Sequence, residues 1–402
     1  MLRRKGYGSV IDYQNYINDK IKSVKPSGIR KFFDIAVEMD NVISLSIGEP
    51  DFQTPWHIRE AGISSLERGK TWYSPNRGFI ELRREIGNYY FRRFNLSYDP
   101  DTQILVTVGG SEGIDLVFRT LVNRGDEVLI PEPSFVCYNP LTVMAGGVPV
   151  TIETKAENNF RLMPEELENA ITDKTKLLVL PFPNNPTGAI MERSDLEKIA
   201  EIIKKHDLIV LSDEIYGELT YGGKKHVSIA EIDGMKERTL IVSGFSKAYA
   251  MTGWRLGYIL GPAEVVSQIT KLHQYGIMSS PTTAQYAAIE ALRNGDDDVA
   301  EMRKDYDLRR RLIVGKLNEI GLDCFEPLGA FYTFPCIKST GLSSDEFATR
   351  LVKEKRIAVV PGNAFGESGE GYVRISYAQS LKNIKIALKR IEEFTEELKN
   401  EG

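Results

Sequence analysis

The middle of the chain alternates short apolar runs with longer amphipathic ones. QILVTV (103–108) leads through GGSEG into IDLVFRTLV (114–122), and DEVLIP (126–131) and GGVPVTIET (146–154) follow as strand-like runs. MPEELENAI (163–171) predicts a helix with Pro164 in its first turn, where a missing N–H costs nothing. TKLLVLPFP (175–183) and LIVLSDEIY (208–216) flank SDLEKIAEIIKKH (194–206), a helix with Ser194 or Asp195 as its cap, and RTLIVSGFS (238–246) adds a further strand. Strands apolar on both faces and separated by helices predict a mostly parallel sheet covered on both sides, an α/β fold.

Beyond residue 280 the pattern changes. SPTTAQYAAIEALRNG (280–295) and AEMRKDYDLRRRLIVGKLNEIG (300–321) predict long helices, and AFYTFPCI, IAVVPG and GYVRISYA predict shorter strands. The carboxyl end carries Ile384, Leu388, Ile391 and Leu398 near helical spacing. The reading is a large α/β domain over 51–284 and a smaller α+β domain built from 1–50 and 285–402.

Composition narrows the function. The 402 residues are 42% hydrophobic with a net charge of −5, so a large core is available and no electrostatic footprint for nucleic acid or a membrane surface is present. No run is long and apolar enough for a membrane span, and MLRRKGYGSV lacks the apolar stretch of a signal peptide, so a cytoplasmic protein is expected. Cys137, Cys324 and Cys336 are far apart and read as ordinary thiols; His57, His206, His226 and His273 are scattered, so no metal site is expected.

The chemistry lies in four segments predicted at one sheet edge. GGSEG joins a strand to a helix, where free N–H groups can face an anion, although a tight turn needing positive φ explains the glycines equally. Asn185, in PFPNNPTG, follows a buried strand at the edge where open α/β sheets bind ligands; the run is also a turn signal. Asp213 ends an apolar strand, where an acid needs a cation, a strong donor or a helix end to cap, and Tyr216 sits three residues on. Ser246 and Lys247 follow the next strand, and Arg255 lies eight positions further. A lysine becomes a nucleophile when desolvation or a nearby cation lowers its pKa, and an arginine fork suits a phosphate. The cofactor that requires a lysine, a carboxylate, phosphate donors and phenolic-oxygen donors together is pyridoxal phosphate.

GGSEG, PEPSFVCY, NNPTG, SDEIYGEL, SGFSKAYAMTGWRLGY and GYVRISYA together resemble the class I and II aminotransferases, the fold-type-I pyridoxal phosphate enzymes, from SIGEPDF to YVRISYA. The resemblance implies an aspartate-aminotransferase-like large domain with a seven-stranded sheet. It implies that Lys247 forms the Schiff base and moves the substrate's proton, and that Asp213 pairs with the pyridine nitrogen. Asn185 and Tyr216 would bond the phenolic oxygen, and Phe135 would stack on the ring. Gly110, Ser111 and Glu112 would form the phosphate cup with Ser246 and Arg255, the Glu112 side chain turning away. Tyr73 would reach the phosphate of a neighbouring subunit in a homodimer, and Arg374 and Gly48 would hold the substrate α-carboxylate. Gly244 departs from the family pattern of Ser or Thr three places before the lysine; Ser243 is the candidate substitute.

The subgroup resembled contains aromatic, aspartate and N-acetyl-diaminopimelate aminotransferases, acting on an amino acid and a 2-oxo acid. A C–S β-lyase shares every cofactor residue and stays open as an alternative; a transcription regulator of this fold would need an added DNA-binding module. Tyr13, Tyr16, Phe32 and Phe33 are candidates for a substrate pocket or for packing, and GIRKFFDIA is where this family's substrate-covering segment would lie.

Overall fold

The structure is a computed structural model that describes residues 11–26, 28 and 39–401. The segment containing Phe32 and Phe33, and most of GIRKFFDIA, therefore lies outside the described residues. A short strand, β1 (Ile43–Ser44), precedes the main sheet. That sheet is built from β2 (Ile104–Thr107), β3 (Glu127–Glu132), β4 (Val148–Glu153), β5 (Thr175–Leu180), β6 (Ile209–Asp213), β7 (Thr239–Gly244) and β8 (Gly257–Leu260). Its order is β2-β8-β7-β6-β5-β3-β4, with β8 antiparallel to both neighbours and the other strands running one way. The protein thus has the expected seven-stranded, mostly parallel sheet. The antiparallel β8 was not foreseen: its four residues sit directly behind the Arg255 segment, too short to register as a separate run.

Alternate residues of the strands feed opposite layers, as both-face burial requires. Leu177 and Val179 pack with Val128, Leu211 and Val242 on one face, while Leu178 and Leu180 pack with Leu129, Val210 and Ile203 on the other. The helix Arg193–Lys205 is capped by Glu192, two residues before Ser194 and three before Asp195. Asp195 is not its cap but its third residue, accepting from the Glu192 N–H at 3.0 Å. Pro164 opens the helix Pro164–Ala170.

The strands after the main sheet are short. These are β9 (Tyr332–Thr333), β10 (Ile357–Ala358), β11 (Val360–Pro361) and β12 (Val373–Ser376). β1 pairs in parallel with β10, and β11-β12-β9 form a three-stranded antiparallel sheet. They share a core with the helices Asp296–Glu319, Ser344–Lys355 and Leu381–Glu401, in which Ile384, Leu388, Ile391 and Leu398 are all buried. The expected boundary between residues 284 and 285 falls inside the helix Thr282–Asn294. Its small face, Ala284, Ala287, Ala288 and Ala291, packs into the core of Trp56–Glu67 and Ile80–Phe94 beside the main sheet. No helix among the described residues is long and apolar enough to cross a membrane.

Phe394 anchors the last helix: it is fully buried and meets Phe347 edge-on at 5.3 Å. Phe394→Ala should destabilise the fold by about 3–5 kcal/mol, read as a fall in the midpoint of urea unfolding; an unchanged midpoint would show that this helix contributes little to the C-terminal core.

Candidate active site

All parallel strands end at one edge, and the chain following β2, β3, β5, β6 and β7 delivers parts of a cavity of about 890 Å³. Phe135 follows β3, Asn185 follows β5, Asp213 ends β6, and Ser246 and Lys247 follow β7; all five line the cavity, as do Gly48, Gly110, Ser111, Tyr216, Arg255 and Arg374. The sequence-predicted residues are brought together with two exceptions, Glu112 and Tyr73. Tyr73 is 78% exposed and outside the cavity of its own chain. Tyr13 and Tyr16 are also exposed and away from it.

One end of the cavity is built for an anion. Gly109 turns β2 into the helix Gly109–Leu121 at φ +75°, which leaves the first-turn N–H groups without helical partners. The Arg255 guanidinium lies against it, so close that a Cβ on Gly109 would stand 2.7 Å from Nη2. Arg255 itself is at φ +53° and donates to the Thr252 carbonyl at 3.0 Å. No carboxylate among the described residues forms an ion pair with Arg255, so its cation meets the first-turn N–H groups of a helix without an ion-pair partner. Glu112 does not intrude: its carboxylate is held by the buried His273 at 2.8 Å and by the Val108 N–H.

The structure also accounts for Gly244. A Cβ there would meet the Gly257 Cα and the Leu256 carbonyl, both at 2.9 Å, because β7 and β8 pair at this point. A serine or threonine has no room. Ser243 does not replace it, since its hydroxyl donates to the Glu214 carbonyl at 3.2 Å and the residue is not part of the cavity lining.

At the centre, Asp213 is buried, and its partners are two neutral donors: the Tyr138 hydroxyl at 2.7 Å and the Ile215 N–H at 3.2 Å. Burial raises its carboxyl above the ordinary range, and the two hydrogen bonds oppose that shift. Lys247 donates to the Gly48 carbonyl at 2.6 Å. Burial pushes its amine down to about 8; Arg374 and Arg255 push the same way, while Glu49 and Asp213 oppose them. The opposite end holds Arg374, which is 3% exposed. It donates to Asn185 Oδ1 at 2.9 Å and to the Ser46 carbonyl at 2.6 Å, and its Nε has no partner. Among the described residues no carboxylate neutralises it, and a buried guanidinium without a counter-charge is costly unless a ligand supplies one.

Two residues of the site escaped sequence reading. Tyr138 holds Asp213, and its signal was only its place three residues after Phe135 at the start of a helix. Tyr332 lies under Arg374, with the guanidinium 4.5 Å from its ring centre, and bonds the Tyr216 hydroxyl at 2.8 Å. Within AFYTF it is one aromatic among three, with nothing to mark it.

A half-buried, weakly basic lysine, a buried carboxylate, an anion cradle and an unpaired arginine are the donor set of a fold-type-I pyridoxal phosphate enzyme. The residues present fit that cofactor: the cradle would take a phosphate, Lys247 an aldehyde and Asp213 a cationic ring nitrogen. Residues 40–391 match the model of the family Aminotransferase class I and II. The chain belongs to that family and is an aminotransferase, and the family uses pyridoxal phosphate. It is 47% identical over 385 residues to the aromatic-amino-acid aminotransferase 2 of Thermococcus litoralis, covering 95% of this chain and 99% of that one. It is 48% identical over 385 residues to the aspartate aminotransferase of Pyrococcus abyssi, with the same coverage. The crystal structure of an aromatic aminotransferase from Pyrococcus horikoshii superposes with a TM-score of 0.88 at 46% identity, covering 92% of this chain and 99% of that one.

Two outcomes follow from this geometry. Gly257→Ala places a Cβ 2.6 Å from the backbone of Gly109 and Gly110, so the cradle must shift; affinity for pyridoxal phosphate should fall by roughly tenfold or more, the loss of about one charge-assisted hydrogen bond. Affinity for pyridoxal, which lacks the phosphate, should change far less, and equal losses for both would place the damage elsewhere. The Lys247 amine reacts only when neutral, so aldehyde capture by the cofactor-free protein should rise with pH and level off above about 8. Borohydride trapping across a pH series measures this, and a rise continuing to pH ~10.5, the ordinary lysine value, would contradict it.

Proposed function

We propose that this cavity binds pyridoxal phosphate and transfers an amino group between an L-amino acid, aromatic, aspartate or related, and a 2-oxo acid such as 2-oxoglutarate. The observation that carries this reading is that Asp213, Lys247 and Arg374, a buried carboxylate, a half-buried amine and a buried guanidinium, line one cavity with no ion pair among them. Bound there, the cofactor supplies an aldehyde and an electron-withdrawing ring. Asp213 holds a proton at the ring nitrogen, and Tyr138 keeps its carboxylate turned that way. Gly110, Ser111, Ser246 and Arg255 take the phosphate, and Phe135 flanks the ring. Arg374 receives the substrate α-carboxylate on its fork, steadied by Asn185, so that every amino acid enters in one orientation. Lys247 then takes and returns the proton at the substrate Cα, a role that suits an amine titrating near neutrality.

The relatives' names support an aromatic or aspartate substrate; N-acetyl-diaminopimelate transamination and C–S β-elimination are the alternatives. The reading includes a homodimer. Tyr73, Trp72 and Tyr275 are exposed at 78%, 56% and 92%, and a second subunit would cover them and receive Tyr73 at its phosphate.

The purified protein should be yellow. Lys247→Ala should lose the lysine-linked band and about 10²–10⁴-fold in turnover while keeping its circular dichroism spectrum; a colourless wild-type protein that gains no absorbance with pyridoxal phosphate would sink the reading. A panel of single amino acids mixed with holoenzyme, followed spectrally, identifies the donor. Release of pyruvate and thiol from cystathionine without added 2-oxo acid would assign the β-lyase instead.

A further inference from the structure

Tyr332 opens β9, and its neighbour across the ladder is Ser376 of β12, two residues beyond Arg374. It is 1% exposed, lines the cavity and has one hydrogen-bond partner among the described residues, the Tyr216 hydroxyl 2.8 Å away. We propose that Tyr332 is a positioning residue for the cofactor: its hydroxyl donates to Tyr216 and so commits the Tyr216 hydrogen to the cofactor's phenolic oxygen. This rests on the reading of the cavity given above.

Each tyrosine hydroxyl has one hydrogen to give and lone pairs to receive another. The 2.8 Å contact can run either way in the ligand-free protein. Once Tyr216 gives its hydrogen to a ligand, the hydrogen between the two oxygens must come from Tyr332. A hydroxyl that accepts one hydrogen bond donates a stronger one, so Tyr332 sharpens Tyr216 as a donor rather than merely packing beside it.

The surroundings hold Tyr332 to that task. The Arg374 guanidinium covers one side of its ring at 4.5 Å. Its hydroxyl is wedged against Gly48, where a Cβ would stand 2.6 Å from the oxygen. Phe331 abuts the rings of both Tyr216 and Tyr332. Burial raises both phenols above their ordinary range, so both keep their hydrogens at neutral pH, while the charge of Arg374 opposes the rise and polarises them as donors. Arg374, Tyr332 and Tyr216 therefore form one line from the α-carboxylate site to the cofactor's phenolic oxygen.

The test is a double-mutant cycle on holoenzyme: wild type, Tyr332→Phe, Tyr216→Phe and the double variant, each titrated by the absorbance of the lysine-linked cofactor. When the imine proton leaves, the phenolic oxygen relies on its remaining donors, so a weaker Tyr216 keeps that proton to higher pH. Tyr332→Phe keeps the ring beneath Arg374 and should move the midpoint up by about 0.5–1 pH unit, the worth of one neutral hydrogen bond. In the Tyr216→Phe background it should move nothing. A midpoint unmoved in the single variant, or moved equally in both backgrounds, overturns the inference, because a purely packing role would act alike with or without the Tyr216 hydroxyl. A wild-type protein with no lysine-linked band overturns the reading of the cavity and this inference together, whereas a normal band with an unmoved midpoint overturns this inference alone.

Discussion

At the carboxyl edge of the sheet, three stretches of backbone touch with no side chain between them: Gly109–Gly110, Gly244 and Gly257. This contact sets everything around it. Because β8 returns antiparallel against β7, its first residue presses on the turn that opens the helix Gly109–Leu121, and Arg255, the residue but one before β8, is delivered over Gly109. The cost is conformational. Gly109 and Arg255 both take positive φ, readily for glycine and at a steric penalty for arginine. The return is an anion cradle whose cation and N–H groups are held by backbone packing rather than by flexible side chains.

The electrostatics of the cavity follow from burial of groups that do not cancel. Lys247 sits between two arginines that repel its charge and two carboxylates, of Asp213 and Glu49, that favour it, and desolvation decides the outcome. Asp213 and Arg374 show the same imbalance with opposite signs: each is buried, each is hydrogen-bonded only to neutral groups, and each lacks a counter-ion among the described residues. A fold optimised for stability alone would pair or remove such charges. Here they face a common space, so a cofactor carrying phosphate and ring nitrogen together with a substrate carboxylate would relieve all of them at once.

Much of this was legible in the chain. The alternating segments fixed the parallel sheet, because strands buried on both faces must read as continuous apolar runs, and each chemical residue came directly after one of them. Lys247, Asp213 and Asn185 were readable because a charged or polar group at the end of an apolar run is costly without a purpose. What stayed hidden depends on contacts across the fold. Tyr138 and Tyr332 are aromatic residues in apolar surroundings, and only the position of Asp213 and Tyr216 beside them turns packing into hydrogen bonding. Gly244 read as a lost phosphate ligand, yet its reason is the β8 backbone, which the sequence did not announce as a strand. Residues 284 and 285 lie within the helix Thr282–Asn294, whose small-residue face packs beside the main sheet, while periodicity alone marks only that it is a helix.

The placement of Tyr216 joins the two cores. It follows β6 of the main sheet, but its ring packs with Phe331 and Tyr332 in the core that also buries Val373, Ile375 and the last helix. Lys247 makes the same link in another way, its amine reaching across to the Gly48 carbonyl just beyond β1. The half of the cavity that holds Asp213 and Lys247 is therefore built by the seven-stranded sheet and the half that holds Arg374 by the C-terminal core, with Tyr216, Lys247 and the Arg374–Asn185 pair linking the two. Any shift of one core against the other changes the distance between the Lys247 amine and the Arg374 guanidinium. On the proposed function, substrate binding and proton transfer would in that sense be one packing problem, solved at the seam where the two cores meet.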